Sequence, residues 1–247
     1  MNNKNFALMI QARANSKRLP NKILEKIDKK EVLVIMLKRL KKKFRNKIIV
    51  AIGNNNCEKI VNVCKKEKIK FFIGDNNNVL ARFYKCAQKN KIKTIVRIPS
   101  DCPLIDPNII KKGLKKFYSN NVDYVSNLLP PSYIDGNDVE IFSIKTLAKI
   151  YDKAKSRFDK EHVTTFLRRN KRLFKIMNFK TNKDLSLKYR LTIDFKEDLI
   201  VLKKILNNKS IFLNYKSIRN IFEKNPEISK INKKFIGTMW YQTKINS

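Results

Sequence analysis

Long hydrophobic runs are missing from this sequence: no apolar stretch approaches the ~20 residues a membrane-spanning helix needs. The opening Met-Asn-Asn-Lys-Asn carries no h-region or small-residue cleavage site, so a secretory leader is not expected. A cytoplasmic protein without membrane association is the expectation. Acidic residues are scarce, 21 against 56 basic ones, and the four cysteines form no Cys-x-x-Cys pair and match no zinc spacing. Cys57, Cys64 and Cys86 are expected as reduced, small apolar fillers on helices, and Cys102 as a packing residue inside a motif. There is one histidine, His162, beside Glu161 on a predicted helix, where a satisfied structural role and a catalytic one are both open.

The net charge of +35 raises the question of nucleic acid, but its make-up argues against a specific partner of that kind. Lysine supplies 44 of the 56 cations and arginine 12, dispersed among many Asn and Ile residues, as an AT-rich coding sequence would favour. Zinc-finger spacing, an aromatic RNA-binding signature and a helix-turn-helix are all lacking. What the charge supports by itself is non-specific attraction to polyanions at low salt.

What is present suits one folded unit. Forty-three per cent apolar and ten per cent aromatic residues in 247 suffice for a full core. No repeat or linker divides the chain, so residues 1–247 are expected to form one domain, with 201–247 a helical or irregular extension. Apolar runs at Phe6–Ile10, Lys47–Ile52, Ile69–Ile73 and Thr94–Ile98 predict strands. They alternate with helical periodicity over Val32–Phe44, Cys57–Glu67 and Val79–Lys89. That is the βαβ rhythm of an α/β protein with a mostly parallel sheet. Beyond it, helices are predicted at Asn108–Tyr118, Lys145–Ala154, Phe195–Leu206 and Tyr215–Lys224. Further strands are predicted at Val122–Ser126, Leu173–Phe179 and Tyr189–Ile193.

Chemistry-bearing residues gather where predicted strands end. After the first strand, Arg13, Ser16, Lys17, Arg18 and Lys22 crowd one loop. Such a loop is either solvated or built to receive polyanionic oxygens. Asp101 lies between Pro99 and Pro103, just past the fourth strand, as a turn residue or a metal ligand. Asp106 is placed to cap the next helix. Tyr133, Asp135, Asp138 and Glu140 cluster in eight residues, as Asx turns or as a sugar-binding rim. Asp194 follows a predicted strand, in the position of an N-cap or with a further role open.

Taken in order, five segments resemble motifs of the cytidylyltransferases that activate acidic sugars, chiefly the SpsF-type branch of spore-coat polysaccharide synthesis, related to the CMP-sialate and CMP-Kdo synthetases. Ile10 to Lys22 resembles I-Q-A-R-x-G-S-x-R-L-P-G-K, and Arg97 to Pro107 resembles R-x-x-x-D-C-P-L-I-D-P. Asp135 to Glu140, Lys160 to Thr164 and Arg190 to Leu199 resemble D-G-x-D-V-E, R-E-H-V-T and R-L-T-x-D-x-x-E-D-L. The resemblance implies a Rossmann-like three-layer α/β/α nucleotidyltransferase fold. It implies transfer of CMP from CTP to an acidic sugar, with Mg²⁺ and release of pyrophosphate. In that family's terms Arg13, Ser16, Arg18 and Lys22 would hold the triphosphate, while Gln11, Ala12 and Arg82 would face cytosine. Asp101 and Asp194 would bind magnesium, making Arg13, Lys22 and Asp101 the catalytic set. Tyr133, Asp135, Asp138, Glu140, Glu161 and His162 would line the acceptor side. A homodimer is what the family suggests. A nucleotide-sugar-dependent glycosyltransferase, which also sets carboxylates beside an α/β nucleotide site, is the nearest alternative; a basic nucleic-acid-binding protein is the more distant one. Asn15 and Asn21 replace family glycines, Asn76–Asn78 and Ala81 replace acidic positions, and Lys160 replaces an arginine. Asn tolerates positive φ better than other non-glycine residues, so the first loop can keep its bend.

Overall fold

A computed structural model describes residues 4–14, 16, 18–207 and 209–238. Asn15, Lys17 and the tail through Trp240 therefore include positions outside the described residues. Strand β1 (Phe6–Ala12) leads through a loop to a small hairpin, β2 (Lys26–Ile27) and β3 (Lys30–Glu31), and then α1 (Val32–Phe44). There follow β4 (Ile48–Gly53), α2 (Glu58–Lys66), β5 (Lys70–Gly74), α3 (Val79–Lys89), β6 (Thr94–Pro99) and α4 (Pro107–Ser119). The second half comprises β7 (Tyr124–Ser126), β8 (Glu140–Ser143), α5 (Ile144–Lys153), α6 (Arg157–His162), α7 (Thr165–Arg169), β9 (Ile176–Asn178), α8 (Lys196–Leu206), α9 (Tyr215–Lys224) and α10 (Pro226–Lys230).

Seven strands form one sheet in the order β5-β4-β1-β6-β8-β7-β9. Strands β5, β4, β1 and β6 run parallel, β8 is antiparallel to both β6 and β7, and β9 is parallel to β7. The sheet is buried on both faces, which is why β1 is a continuous apolar run. Phe6, Leu8, Ile10 and Ala12 join α1, α2 and α4 in one core layer, while Ala7 and Met9 meet α3 and α5 in the other. This is the expected three-layer arrangement. Helix starts follow local chemistry: Asp106 accepts from the Asn108 amide at 2.7 Å with Pro107 at the first turn, and Asn78 accepts from the Ala81 amide at 2.9 Å. Asn78, a family departure, thus starts α3.

A third core layer lies outside the sheet. Leu199, Val201, Leu202 and Ile205 of α8, with Ile218 and Phe222 of α9, pack on Val32, Ile35 and Leu19 near the first loop. The C-terminal third of the chain is folded back onto the segment after β1.

Three expectations need correction. Tyr189–Ile193 is no strand: it runs extended beside the loop at Asp135, sharing one isolated bridge at Asp135–Arg190, and bonds to loops rather than to the sheet. Asp194 is not the N-cap of α8. Phe195 holds that position, and Asp198 accepts from the amides of Asp194 and Phe195 at 2.8 and 3.0 Å. Cys57 precedes α2 instead of lying within it, whereas Cys64, Cys86 and Cys102 are buried.

Candidate active site

Parallel pairing of β1 with β6, with Gln11 opposite Pro99, puts the loops after both strands side by side. Because β4 lies on the other side of β1, this is the point where strand order reverses and where open α/β sheets form a crevice. The first loop folds on itself, with the Ala14 carbonyl accepting from the amides of Ser16 and Asn21 at 3.2 Å each. Asn21 has φ 56°, the left-handed conformation that glycine adopts most readily.

Lys22 is the hub. Its Nζ donates to Asp101 Oδ2 at 2.6 Å and to Asp194 Oδ1 at 2.8 Å. Arg18 reaches the same Asp194 oxygen at 2.7 Å, and Arg190 donates to Asp194 Oδ2 at 2.9 Å. The segment carrying Asp194 is tied directly to the Asp101 loop by Ile193 N–H donating to the Asp101 carbonyl at 2.9 Å. Arg190, 2% exposed, also binds Asp135 Oδ2 at 2.8 Å and Asp198 Oδ1 at 3.1 Å, while Thr192 Oγ1 donates to Asp135 Oδ1 at 2.7 Å.

The electrostatics follow from this crowding. Burial disfavours a charged Lys22, yet Asp101 and Asp194 outweigh it and raise the ammonium's pKa. Burial likewise opposes an ionised Asp194, but Lys22 and Arg18 hold its carboxyl down at about 2. Asp135 goes the other way: burial pushes it up to about 6 despite Arg190 and Thr192, with help from the negative charges of Asp101 and Asp194. Burial and the charges of Asp135, Asp101 and Glu140 push Asp138 well up. Four carboxylates, Asp101, Asp135, Asp194 and Asp198, thus share three cations, Lys22, Arg18 and Arg190. The cluster is short of positive charge.

The remaining predicted residues divide. Arg13, well exposed, pairs with Glu161 at 3.2 Å, so the first loop meets the end of α6. His162, half-buried, lies against the Phe158 ring at 4.5 Å between centroids. It precedes Val163, whose φ of 55° is strained for a β-branched residue. Gln11 Oε1 accepts from Arg97 Nε and Nη2 at 3.1 and 2.7 Å. Ala12 is fully buried. Arg82 is 1% exposed, and Nη1 donates to the Asp75 carbonyl at 2.6 Å. Its Nε and Nη2 have no partner among the described residues, and burial lowers its pKa to about 10, still a cation at neutral pH.

Glu140 and Tyr133 do not form a rim, contrary to the sequence-based expectation. Glu140, 1% exposed, pairs with Arg97 and accepts from Tyr124 Oη and Thr164 Oγ1 at 2.5 Å each. Burial would raise its carboxyl, but Arg97 and Arg168 bring the net shift downward. Tyr133 packs between Phe179 and Tyr215, with its hydroxyl accepting from Lys112 Nζ at 3.0 Å. Both became core groups because β8 and its approach are buried between other elements.

Arg190, Thr192 and Asp198 organise the cluster without having been singled out. The spacing of Arg190, Asp194 and Asp198, four residues apart each time, was the available clue. Gly136 fixes the approach of the two acidic segments. It has φ 97°, and a Cβ there would lie 2.9 Å from both the Leu191 carbonyl carbon and the Thr192 amide nitrogen.

Two carboxylates suit a hard divalent ion such as magnesium, which completes its shell with water and phosphate oxygens. Among the described residues no group of three or more His, Cys, Asp or Glu side chains could hold a metal unaided. No described helix is long and apolar enough to cross a membrane.

Known proteins share this fold. A structure of a cytidylyltransferase from Leptospira borgpetersenii superposes with a TM-score of 0.88 at 32% identity, covering 92% of this chain and 97% of that one. An uncharacterized protein of Methanocaldococcus jannaschii is 33% identical over 91% of this chain and 93% of its own length. The spore coat polysaccharide biosynthesis protein SpsF of Bacillus subtilis is 28% identical over 80% and 84%, respectively. The cytidylyltransferase family model matches residues 7–228, and the chain, with its lysine-bridged aspartates at the β1–β6 crevice, belongs to the cytidylyltransferase family.

Proposed function

We propose that this enzyme transfers CMP from CTP to an acidic sugar and releases pyrophosphate, for the synthesis of a surface polysaccharide or glycan. The observation that carries the reading is the joining of Asp101 and Asp194 by Lys22, beside Arg18 and the β1 loop. Nucleotidyl transfer asks for charge neutralisation and in-line placement more than for covalent help. Arg13, Ser16, Arg18 and Lys22 would receive the triphosphate, arginine through forked donors and lysine as a point charge. Gln11, Ala12 and Arg82 would face cytosine.

Asp101 and Asp194 would hold Mg²⁺, and the excess of four carboxylates over three cations is the feature that fits a divalent ion there. When bound, the metal would neutralise phosphate charge and favour ionisation of the attacking hydroxyl. Asp135, Asp138, Glu161 and His162 would lie toward the acceptor, whose hydroxyl attacks the α-phosphorus as pyrophosphate leaves. The chain's own part is to hold these groups in register and to keep Lys22 and Arg18 on the leaving side.

Mixing the protein with Mg²⁺, each of CTP, UTP, GTP and ATP, and a panel of sugar acids tests this, with pyrophosphate as the readout. Release with CTP and one sugar acid is expected. Equal release with all four nucleotides, or none with CTP, overturns the proposal. A nucleotide-sugar-dependent glycosyltransferase would release no pyrophosphate.

A further inference from the structure

The match to the family ends at residue 228, yet the described chain continues, and the continuation reaches the aspartate cluster. Asn232 is 1% exposed, and its Nδ2 donates to Asp198 Oδ1 at 2.8 Å and to the Arg190 carbonyl at 3.2 Å. Those are the two residues that fix Asp194. Arg190 holds the Asp194 carboxylate, and Asp198 Oδ2 accepts from the Asp194 and Phe195 amides. Asp198, fully buried, has to fill the capping role because Phe195, the N-cap of α8, has no polar side chain. A buried carboxylate with that duty needs every donor it can find.

A second line of contact arrives three residues later. Phe235 stacks on Phe195 with ring centroids 3.7 Å apart and planes 7° from parallel. The Arg18 guanidinium lies 5.3 Å from the Phe195 centroid while it pairs with Asp194. Arg18 is on an exposed loop, and an aromatic face gives its flexible side chain a preferred place. The segment is further pinned by Lys234 Nζ to Glu197 Oε1 at 2.9 Å.

We infer that Asn232 and Phe235 are positioning residues of the active site. Asn232 sets Asp194 through Asp198 and Arg190, and Phe235 sets Arg18 through Phe195. The inference rests on the roles proposed above for Asp194 and Arg18. It assigns the end of the chain a part in catalysis beyond packing against α8.

The test compares Phe235→Ala, Phe235→Tyr and Asn232→Ala with the full-length wild type by kinetics, urea unfolding and arginine side-chain NMR. Phe235→Ala should raise KM for CTP about tenfold with kcat little changed, and Phe235→Tyr should restore it. Asn232→Ala should lower kcat by about 10–100-fold, the usual effect of removing a group that orients a ligand-holding side chain. Variants within twofold of wild type in both constants overturn the inference. So does Phe235→Tyr losing activity as Phe235→Ala does, in step with stability, since that marks a structural role. If the wild type releases no pyrophosphate from CTP, the functional reading fails by itself, and the NMR decides this one. Phe235→Ala should then shift the Arg18 Nε–H resonance and Asn232→Ala should speed exchange at Arg190 Nε–H; unchanged resonances and exchange overturn it.

Discussion

Lys22 and Asp194, 172 residues apart in sequence, are joined at 2.8 Å through an ammonium that also holds Asp101. The pair closes the crevice between β1 and β6 from opposite ends of the chain. It joins the cationic loop after β1 to a carboxylate delivered by the C-terminal layer.

Asp101→Asn should reduce pyrophosphate release from CTP by about 10²-fold or more, because the proposed Mg²⁺, the cation that would offset developing phosphate charge, loses an anionic ligand. The isosteric amide keeps the turn between Pro99 and Pro103, so the circular dichroism spectrum and urea midpoint should stay near wild type. A fully active variant would remove Asp101 from the mechanism.

Acid stability should depend on Lys22. The Asp194 carboxyl sits at about 2 in the folded state against an ordinary 3.8, so its contribution is complete above pH ~4 and is lost as pH falls toward 2. Lys22→Met removes the largest attraction and lets that carboxyl titrate closer to its ordinary range. Urea midpoints at pH 6 and pH 3 should therefore differ less in the variant than in the wild type. An equal difference would assign the low value to Arg18 and Arg190 instead.

Asp135 has the opposite sign. Its carboxyl is pushed up to about 6, so its contribution is fully present below pH ~4 and is lost as pH rises through 6. Asp135→Asn should flatten the slope of stability between pH 4 and 7, measured by urea unfolding across that range. An unchanged slope would exclude Asp135 as the titrating group.

Glu140→Gln should cost about 3–5 kcal/mol of stability, as expected for leaving a buried cation, here Arg97, without its charge partner. Chemical denaturation measures it. A variant as stable as wild type, with a raised KM for the sugar, would return Glu140 to the acceptor rim.

Gly136→Ala should destabilise by about 1–3 kcal/mol, since φ 97° and two backbone atoms 2.9 Å from the new Cβ both oppose it. A fall in melting temperature of roughly 5 °C is the expected reading. No fall would mean the loop at Asp135 can move away from Leu191 and Thr192 at little cost.

Regular elements were legible wherever the pattern was local. Val32–Phe44, Val79–Lys89 and Tyr215–Lys224 are helices at the predicted bounds, because an apolar face specifies each and Asn78 and Asn214 cap the latter two. Asp106 as a cap and Asn21 at positive φ were legible for the same reason. Tyr189–Ile193 misled because an extended apolar run meets a buried loop as readily as a sheet. Glu140 and Tyr133 misled because polarity in sequence does not tell a solvent-facing group from a buried one with partners.

Composition, periodicity and the ordered motifs by themselves determined an α/β chain with a cationic loop at its first strand and carboxylates at later strand ends. They did so because helix, strand and turn preferences act over a few residues. Only the folded chain decided that Lys22 bridges Asp101 and Asp194, that Arg190 gathers three carboxylates, and that Asn232 and Phe235 arrive behind them. Those relations depend on parallel pairing of β1 with β6 and on the C-terminal layer folding back. Both are long-range contacts whose partners no local pattern can name.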